Sequence, residues 1–332
     1  MLLRSRLYQS GVFRRRAVAA PVLSVGNLTW GGTGKTPLVI EVARFAREQG
    51  WQPAIVSRGY GGSVAKPVNV VSDGKSVLLR ADEAGDEPRF LAESLPGVPV
   101  VTGKRRILPA RYAVESLGAD LILLDDGFQH LALQRQLDIV LFRSDAPLGN
   151  GRVFPAGQLR EPLSALARAD CFVLTGCPPE NREQTVCQFT AELQRLFPGR
   201  PVFSSFFRVD RVLQASEDNA ECHPDSLRGQ RLFLFSGIGN PQSFHDSLLQ
   251  TGAMPGGIKT FSDHHRYDQA DVDAIAEQCR KTGCSKAVTT EKDYVKVRQL
   301  QWTVPLIVVK GRTVVEDGFF PFLRQRLLQL GL

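Results

Sequence analysis

Short apolar runs alternate along the chain with amphipathic stretches, and this alternation predicts strands and helices in turn. The stretch Leu38–Gln49 carries apolar residues at helical spacing and is followed by Gly50, a residue typical of helix ends. Further helices are predicted at Arg89–Leu95, Asp271–Lys281 and Phe322–Leu330. Short runs of mostly apolar residues predict strands at Pro53–Ser57, Val68–Val71, Val98–Val101, Leu121–Leu124, Asp138–Phe142, Cys171–Thr175, Leu232–Phe235, Ile258–Phe261, Ala287–Thr290 and Leu306–Val309. This order is typical of an α/β fold with a mostly parallel sheet flanked by helices.

A glycine-rich turn precedes the first of these helices. The sequence SVGNLTWGGTGKTP spans Ser24 to Pro37. In a P-loop, backbone amides surround phosphate oxygens, a lysine reaches the terminal phosphates and a hydroxyl binds Mg²⁺. The general pattern has a glycine where this chain has Thr29, so the later glycines must supply the turn. We predict a nucleotide site formed by Thr29, Gly31, Gly32, Thr33, Gly34, Lys35 and Thr36.

A second chemical signal follows the apolar run Leu121–Leu124, which ends in Asp125 and Asp126. P-loop proteins place a carboxylate beside magnesium at the end of such a buried strand. A short apolar run before an aspartate is common by chance. Here it lies about ninety residues beyond the P-loop in a chain of alternating strands and helices, which favours a magnesium site.

Other polar groups leave alternatives open. Arg58, in a glycine-rich loop, fits an anion contact or a solvated side chain, and so does the basic stretch Gly103–Arg106. Asp86 and Glu87 taken alone are typical first-turn acids of a helix. The long loop Asp145–Pro162 is of a kind that is usually functional, and its Arg160 and Glu161 fit either site residues or a surface pair.

The histidine pair His264–His265 has no third ligand at metal spacing, so we predict no zinc site there.

Six cysteines are present without a C-x-x-C motif, which predicts reduced thiols. No apolar run reaches the roughly 18 residues that a spanning helix needs.

The net charge of +7 is concentrated at the start of the chain, where five arginines precede the first acidic residue. The body of the chain lacks a basic face interleaved with aromatic residues, so we predict no nucleic-acid partner. Near these arginines stand Leu2, Leu3, Leu7, Tyr8, Val12 and Phe13, which fit one apolar face of a helix. Such a helix suits an anionic membrane surface, or packing on its own domain with solvated arginines, and the pattern alone favours neither.

With these residues identified, the chain resembles the tetraacyldisaccharide 4'-kinases of lipid A biosynthesis. The similarity covers nearly the whole length, and the family's own P-loop resembles this one, including the residue at Thr29. The motifs that carry it, in order, are GNLTWGGTGKTP at 26–37, SRGYGG at 57–62, GDEP at 85–88, LDDGFQH at 124–130, PAGQLREP at 155–162, FSDHH at 261–265 and TTEKDYVK at 289–296.

The resemblance implies an ATP- and Mg²⁺-dependent kinase that phosphorylates the 4'-hydroxyl of the tetraacyldisaccharide 1-phosphate precursor of lipid A, giving lipid IVA. It implies that Asp86 acts with a histidine, His264 or else His265, to activate the hydroxyl. It implies that Lys35 and Arg160 take part in catalysis, and that Thr36, Glu87, Asp125 and Asp126 surround Mg²⁺. It also implies a peripheral protein on the cytoplasmic face of the bacterial inner membrane. This favours the membrane interpretation of the arginine-rich arm at residues 1–16.

The expected organisation is an arm over residues 1–16, a P-loop kinase core over 17–205, a connector over 206–230 and a smaller α/β domain over 231–332, whose last helix is a candidate to pack back on the core. The alternative function is a membrane-associated P-loop switch or partition ATPase. Those proteins carry a lysine directly before the Gly-Gly of the loop, where this chain has Trp30, which argues against that alternative.

Overall fold

The computed structural model describes residues 7–8, 10–64, 66–177, 184–215, 220–263 and 265–332. The strands are β1 Val22–Asn27, β2 Pro53–Ser57, β3 Asn69–Asp73, β4 Pro99–Thr102, β5 Leu121–Asp125, β6 Leu137–Arg143, β7 Cys171–Thr175, β8 Val202–Ala215, β9 Glu221–Cys222, β10 Arg231–Ser236, β11 Met254–Thr260, β12 Lys286–Thr290 and β13 Leu306–Val315. The helices are α1 Lys35–Glu48, α2 Ala81–Ala84, α3 Asp86–Ser94, α4 Ile107–Leu117, α5 Gln184–Leu196, α6 Pro241–Gln250, α7 Gln269–Lys281, α8 Glu291–Val297 and α9 Phe319–Leu328. Two compact units result, Met1–Phe206 with Val315–Leu332, and Phe207–Val314.

Unit 1 is built on a mostly parallel sheet, as the apolar runs predict. Its strand order is β8-β7-β6-β1-β5-β2-β4-β3, and β3 alone of these is antiparallel to its neighbour. Both neighbours of β1 run parallel to it, with Val25 level with Asp125 on β5. The carboxyl ends of these strands therefore meet at one edge, where α/β sheets bind their ligands.

Apolar side chains cover both faces of this sheet. Leu23 and Val25 of β1 pack on one face, and Val22 packs on the other. The final helix α9 buries Phe319 and Leu323 in the same cluster as the buried face of α1. The end of the chain thus completes the core of unit 1.

Unit 2 is a smaller parallel sheet in the order β11-β10-β12-β13, with α6, α7 and α8. Residues of β10 alternate between its two apolar clusters, Leu232 and Leu234 on one face and Phe233 and Phe235 on the other. This alternation of period two is expected of a strand that is covered on both faces.

The connector predicted over residues 206–230 is wrong for most of its described part. Strand β8 continues to Ala215, and β9 and a short 3₁₀ helix at Pro224–Leu227 follow. The apolar pattern of this strand is interrupted by Arg208, Asp210 and Arg211. The strand therefore contains no continuous apolar run that would predict it.

The terminal arm also differs from prediction. Residues 1–6 and 9, including Leu2 and Leu3, lie outside the described residues. Leu7 and Tyr8 are helical, but Gly11 has φ +77°, and the Phe13 amide donates to the Leu7 carbonyl at 2.9 Å. The turn ends the helix before Phe13, so Val12 and Phe13 do not belong to one continuous helical face.

Candidate functional site

The loop between β1 and α1 has the geometry of a phosphate-binding turn. Gly34 precedes α1 with φ +75°, a conformation that glycine adopts without strain. Lys35 and Thr36 then occupy the first turn of α1, where free backbone amides and the helix dipole favour anions. The Oγ1 atom of Thr33 is buried and has no hydrogen-bond partner among the described residues.

Asp125 ends β5 beside this loop and is 3% exposed. Burial, together with the charges of Glu87 and Asp126, raises its pKa to about 7 against the lowering effect of Lys35 and Arg106. Its Oδ1 atom accepts no hydrogen bond from the described residues. A buried carboxylate with this environment is suited to a cation, which would restore its ionised form.

Asp126 has φ +51°, the one positive value at a non-glycine among the described residues. Aspartate tolerates this left-handed conformation better than most residues. The turn brings Oδ1 of Asp126 to 3.5 Å from Nζ of Lys35. Burial favours its neutral form, but Lys35 and Arg160 outweigh that effect and hold the pKa of Asp126 below its usual value.

Arg160 reaches the site from the long loop before β7. Its Nη1 donates to Oδ1 and Oδ2 of Asp126 at 2.8 and 2.9 Å. Its backbone amide donates to the Leu28 carbonyl at 2.7 Å, which joins the loop directly to the P-loop segment. The neighbouring Glu161 is instead buried and forms an ion pair with Arg168, so the two adjacent residues differ in role.

Asp86 and Glu87 form the first turn of α3, as their sequence suggests. Gly85 before them has φ +93°, and a Cβ there would lie 2.2 Å from the Tyr60 carbonyl oxygen. The motifs SRGYGG and GDEP are therefore packed backbone against backbone. Because the charge of Glu87 acts on Asp125, this turn belongs to the same electrostatic cluster.

Arg106 is a further member of this cluster, although the sequence pattern alone fits either an anion contact or a solvated side chain there. It is 6% exposed, and its pKa is lowered to about 10 by burial and by Arg58, against Asp126 and Asp125. Its Nε has no hydrogen-bond partner among the described residues. Its place just beyond the carboxyl end of β4 was the available signal, because such strand ends converge.

The residues present fit a magnesium nucleotide. The described residues hold no group of three or more His, Cys, Asp and Glu side chains that would bind a metal by themselves. Mg²⁺ is usually held by one or two carboxylates together with phosphates and waters rather than by such a group. Asp125 and Asp126, with Thr36 in the adjoining helix turn, would supply that kind of donor set.

His265, the described member of the histidine pair, lies in unit 2. His264 is outside the described residues. The Nε2 atom of His265 lies 2.7 Å from Oδ2 of Asp271, and its ring stacks on Phe261 with centroids 4.5 Å apart. His265 is thus engaged within its own unit.

A basic cavity of about 460 Å³ lies where the terminal arm meets the start of α4 in unit 1. The arm is joined to the unit by the Arg16 amide, which donates to the Ala132 carbonyl at 2.9 Å. Val12 and Phe13 are 66% and 44% exposed beside it. Its cationic lining consists of Arg14, Arg16, Lys104 and Arg105, with His130. No described helix is long and apolar enough to cross a membrane.

Comparison with known proteins gives a consistent result. A family model described as tetraacyldisaccharide-1-P 4'-kinase matches residues 1–328. The chain is 45% identical over 320 residues to the tetraacyldisaccharide 4'-kinase of Desulfotalea psychrophila, covering 96% of this chain and 90% of that protein. It is 40% identical over 306 residues to the enzyme of the same name from Syntrophus aciditrophicus, covering 91% and 82%.

The fold is similar to a solved structure as well. The crystal structure described as "apo" form LpxK from Aquifex aeolicus in complex with ATP has a TM-score of 0.75 and 30% identity, and the match covers 98% of this chain and 93% of that one. The similarity supports the P-loop kinase fold. None of these matches favours the switch or partition ATPase.

Proposed function

The chain belongs to the tetraacyldisaccharide-1-P 4'-kinase family, and we propose that it transfers the γ-phosphoryl group of ATP to the 4'-hydroxyl of the lipid A disaccharide precursor, giving lipid IVA. The observation that carries the proposal is the meeting of Lys35, Asp126 and Arg160 beside the buried Asp125. A phosphate-binding lysine, carboxylates for magnesium and an arginine are the parts that phosphoryl transfer requires.

The nucleotide would be held by the P-loop, with backbone amides of residues 29–36 around the phosphates and Lys35 at their terminal oxygens. Thr36, Glu87, Asp125 and Asp126 would hold Mg²⁺. The bound ion neutralises phosphate charge in kinases. We assign to Arg160 the stabilisation of the negative charge on the transferred phosphoryl group, because a guanidinium in a partly buried site stabilises developing negative charge strongly.

The acceptor hydroxyl must lose its proton as its oxygen bonds to the γ-phosphorus and the bond to ADP breaks. We assign this proton to Asp86 acting with His264. His265 is the less suitable partner because its imidazole is already paired with Asp271 and stacked on Phe261.

The test offers the purified chain radiolabelled ATP and the tetraacyldisaccharide 1-phosphate in detergent micelles. We expect a labelled lipid product, and its absence would contradict the proposed activity. Asp86→Ala and His264→Ala should each lower turnover by about 10²–10⁴-fold with ATP binding retained. His265→Ala is the matched control. If His265→Ala removes turnover and His264→Ala does not, His265 is the partner of Asp86 instead of His264.

We further propose that the chain works as a peripheral protein on an anionic membrane surface, at the cytoplasmic face of the inner membrane. The basic cavity and the exposed Val12 and Phe13 beside it support this. Each basic residue near an anionic surface contributes about 1 kcal/mol, and exposed apolar side chains add partitioning into the interface.

Vesicle sedimentation tests this part separately. Arg14→Ser with Arg16→Ser should weaken binding to phosphatidylglycerol vesicles about tenfold or more. Binding to phosphatidylcholine vesicles should be weak in the parent protein and in the double variant, and should differ little between them. Arg195→Ser, an exposed arginine on α5, is the control. Equal binding of all three proteins to the anionic vesicles would contradict the assignment of this surface.

A further inference from the structure

Trp30 stands in the P-loop directly before Gly31-Gly32 and is 59% exposed. Its backbone is fixed, because its amide donates to the Gln158 carbonyl at 2.9 Å and the Arg160 amide donates to the Leu28 carbonyl at 2.7 Å. Residues 28–30 and 158–160 therefore run side by side as a short paired segment. The indole of Trp30 and the side chain of Arg160 start from backbones held at a fixed separation.

The Trp30 ring covers the guanidinium of Arg160. The Cζ atom of Arg160 lies 4.7 Å from the ring centroid, within the range of a cation–π contact. At its edge, the same guanidinium donates to both carboxylate oxygens of Asp126 at 2.8 and 2.9 Å. The face of the cation is thus held by an aromatic ring and its edge by a carboxylate.

This arrangement leaves part of the arginine uncommitted. The Arg160 side chain is 15% exposed, and its Nε has no hydrogen-bond partner among the described residues. A buried donor without an acceptor is costly unless a ligand completes it. Lys35 lies 3.5 Å from the same Asp126, so the free donor belongs to the site expected to hold phosphates.

We propose that Trp30 is a positioning residue that fixes Arg160 for its contact with the transferred phosphoryl group. The inference rests on the proposed kinase function. Switch ATPases carry a lysine at the position before the Gly-Gly, whereas here an aromatic ring at that position holds an arginine from another segment of the same chain. A planar guanidinium suits this arrangement because it stacks on an indole face while its edge still donates hydrogen bonds.

Two other roles for an exposed tryptophan give different results. A ring that stacks on the adenine of ATP would change mainly the KM for ATP, and would act independently of Arg160. A ring that enters the membrane would change vesicle binding. A positioning role lowers kcat and is coupled to Arg160, because the energy of the contact is expressed only through that cation.

The test is a double-mutant cycle of Trp30→Leu and Arg160→Met, with Trp30→Phe as the conservative variant. We expect Trp30→Leu to lower kcat about three- to thirty-fold, which corresponds to a cation–π contact, with less than about threefold change in the KM for ATP. Trp30→Phe should recover most of this loss. The kcat of the double variant should lie within about twofold of the kcat of Arg160→Met alone. Additive losses, or equal losses in the Phe and Leu variants, would overturn the proposal.

A spectroscopic test does not depend on enzyme activity. In a Trp51→Phe, Trp302→Phe background, Trp30 is the sole indole of the chain. Its emission should change when Arg160→Met removes the cation, and an unchanged spectrum would overturn the contact whatever the activity. Trp51→Leu serves as the activity control, since Trp51 packs edge-on against Phe45 at 6.2 Å in the core of unit 1. A protein that shows the emission change but phosphorylates no lipid would contradict the kinase proposal alone.

Discussion

The Nη1 atom of Arg160 donates to both carboxylate oxygens of Asp126, 34 positions earlier in the chain, at 2.8 and 2.9 Å. The backbone of Asp126 takes the left-handed conformation, with φ +51°, that turns its carboxylate toward Arg160 and Lys35. The phosphate-binding loop, the end of β5 and the long loop before β7 are joined by this one carboxylate. Changes at Asp126 therefore test the whole cluster.

Asp126→Asn should lower kcat by about 10²-fold, the scale of a lost charge contact in an active site. Asparagine also tolerates the left-handed backbone, so the melting temperature should change little. Asp126→Ala adds a backbone cost and should lose both activity and stability. Steady-state kinetics and thermal melting of the two variants check this, and an Asn variant with full turnover would contradict the assigned role.

Asp125→Asn should stabilise the metal-free protein at high pH. The folded-state pKa of Asp125 is raised to about 7 from an ordinary 3.8, so its neutral form favours folding below about pH 4 and that contribution is lost as pH rises through 7. At pH 8 the variant should gain up to about 4 kcal/mol in free energy of unfolding, while at pH 4 the two proteins should match.

Denaturant titrations with EDTA at pH 4, 6 and 8 measure this difference. Asp82→Asn, at an exposed carboxylate, is the control and should show no such trend. Adding Mg²⁺ with ADP at pH 8 should stabilise the parent more than Asp125→Asn, because only the parent gains a cation on that carboxylate. A stability difference independent of pH would show that burial does not control this group.

Gly85→Ala should destabilise unit 1 by about 2 kcal/mol or more. A Cβ there lies 2.2 Å from a backbone oxygen of Tyr60, and φ is +93°. Gly118→Ala has φ +71° but meets nothing within 4 Å, so it should cost only about 1 kcal/mol. Thermal melting separates the two costs. Equal losses would mean that close packing of the two motifs is not the reason for this glycine.

Asp293→Ala should destabilise unit 2 by about 3 kcal/mol. Asp293 is fully buried, accepts from the Gly237 amide and the Thr290 hydroxyl at 3.0 Å each, and lies 3.8 Å from Nζ of Lys296. Removing a buried acceptor leaves its donors without a partner. Asp273→Ala on the exposed face of α7 is the control and should stay within about 0.5 kcal/mol. Chemical denaturation gives both values.

Much of unit 1 could be predicted because its signals are local. Helix α1, strand β5 and the loop between β1 and α1 follow from spacing within a few residues, so apolar pattern and turn chemistry were sufficient. Strand β8 was missed over its whole length, because alternation with polar and charged residues is a weaker signal than a continuous apolar run. Helix α4 was missed as well, although it follows the basic stretch at Gly103–Arg106 directly.

The sequence by itself determined the fold class, the phosphate-binding loop and the aspartate pair, since each depends on residues adjacent in the chain. Only the tertiary structure decided which distant residues share the site. Arg160 and Glu161 are neighbours in sequence, yet one pairs with Asp126 and the other with Arg168. Likewise, strand register places Asp125 beside β1, and the charges of Glu87 and Arg106, from two other segments, act on it. Such partners are set by strand pairing and loop packing over long sequence separations, which no local pattern records.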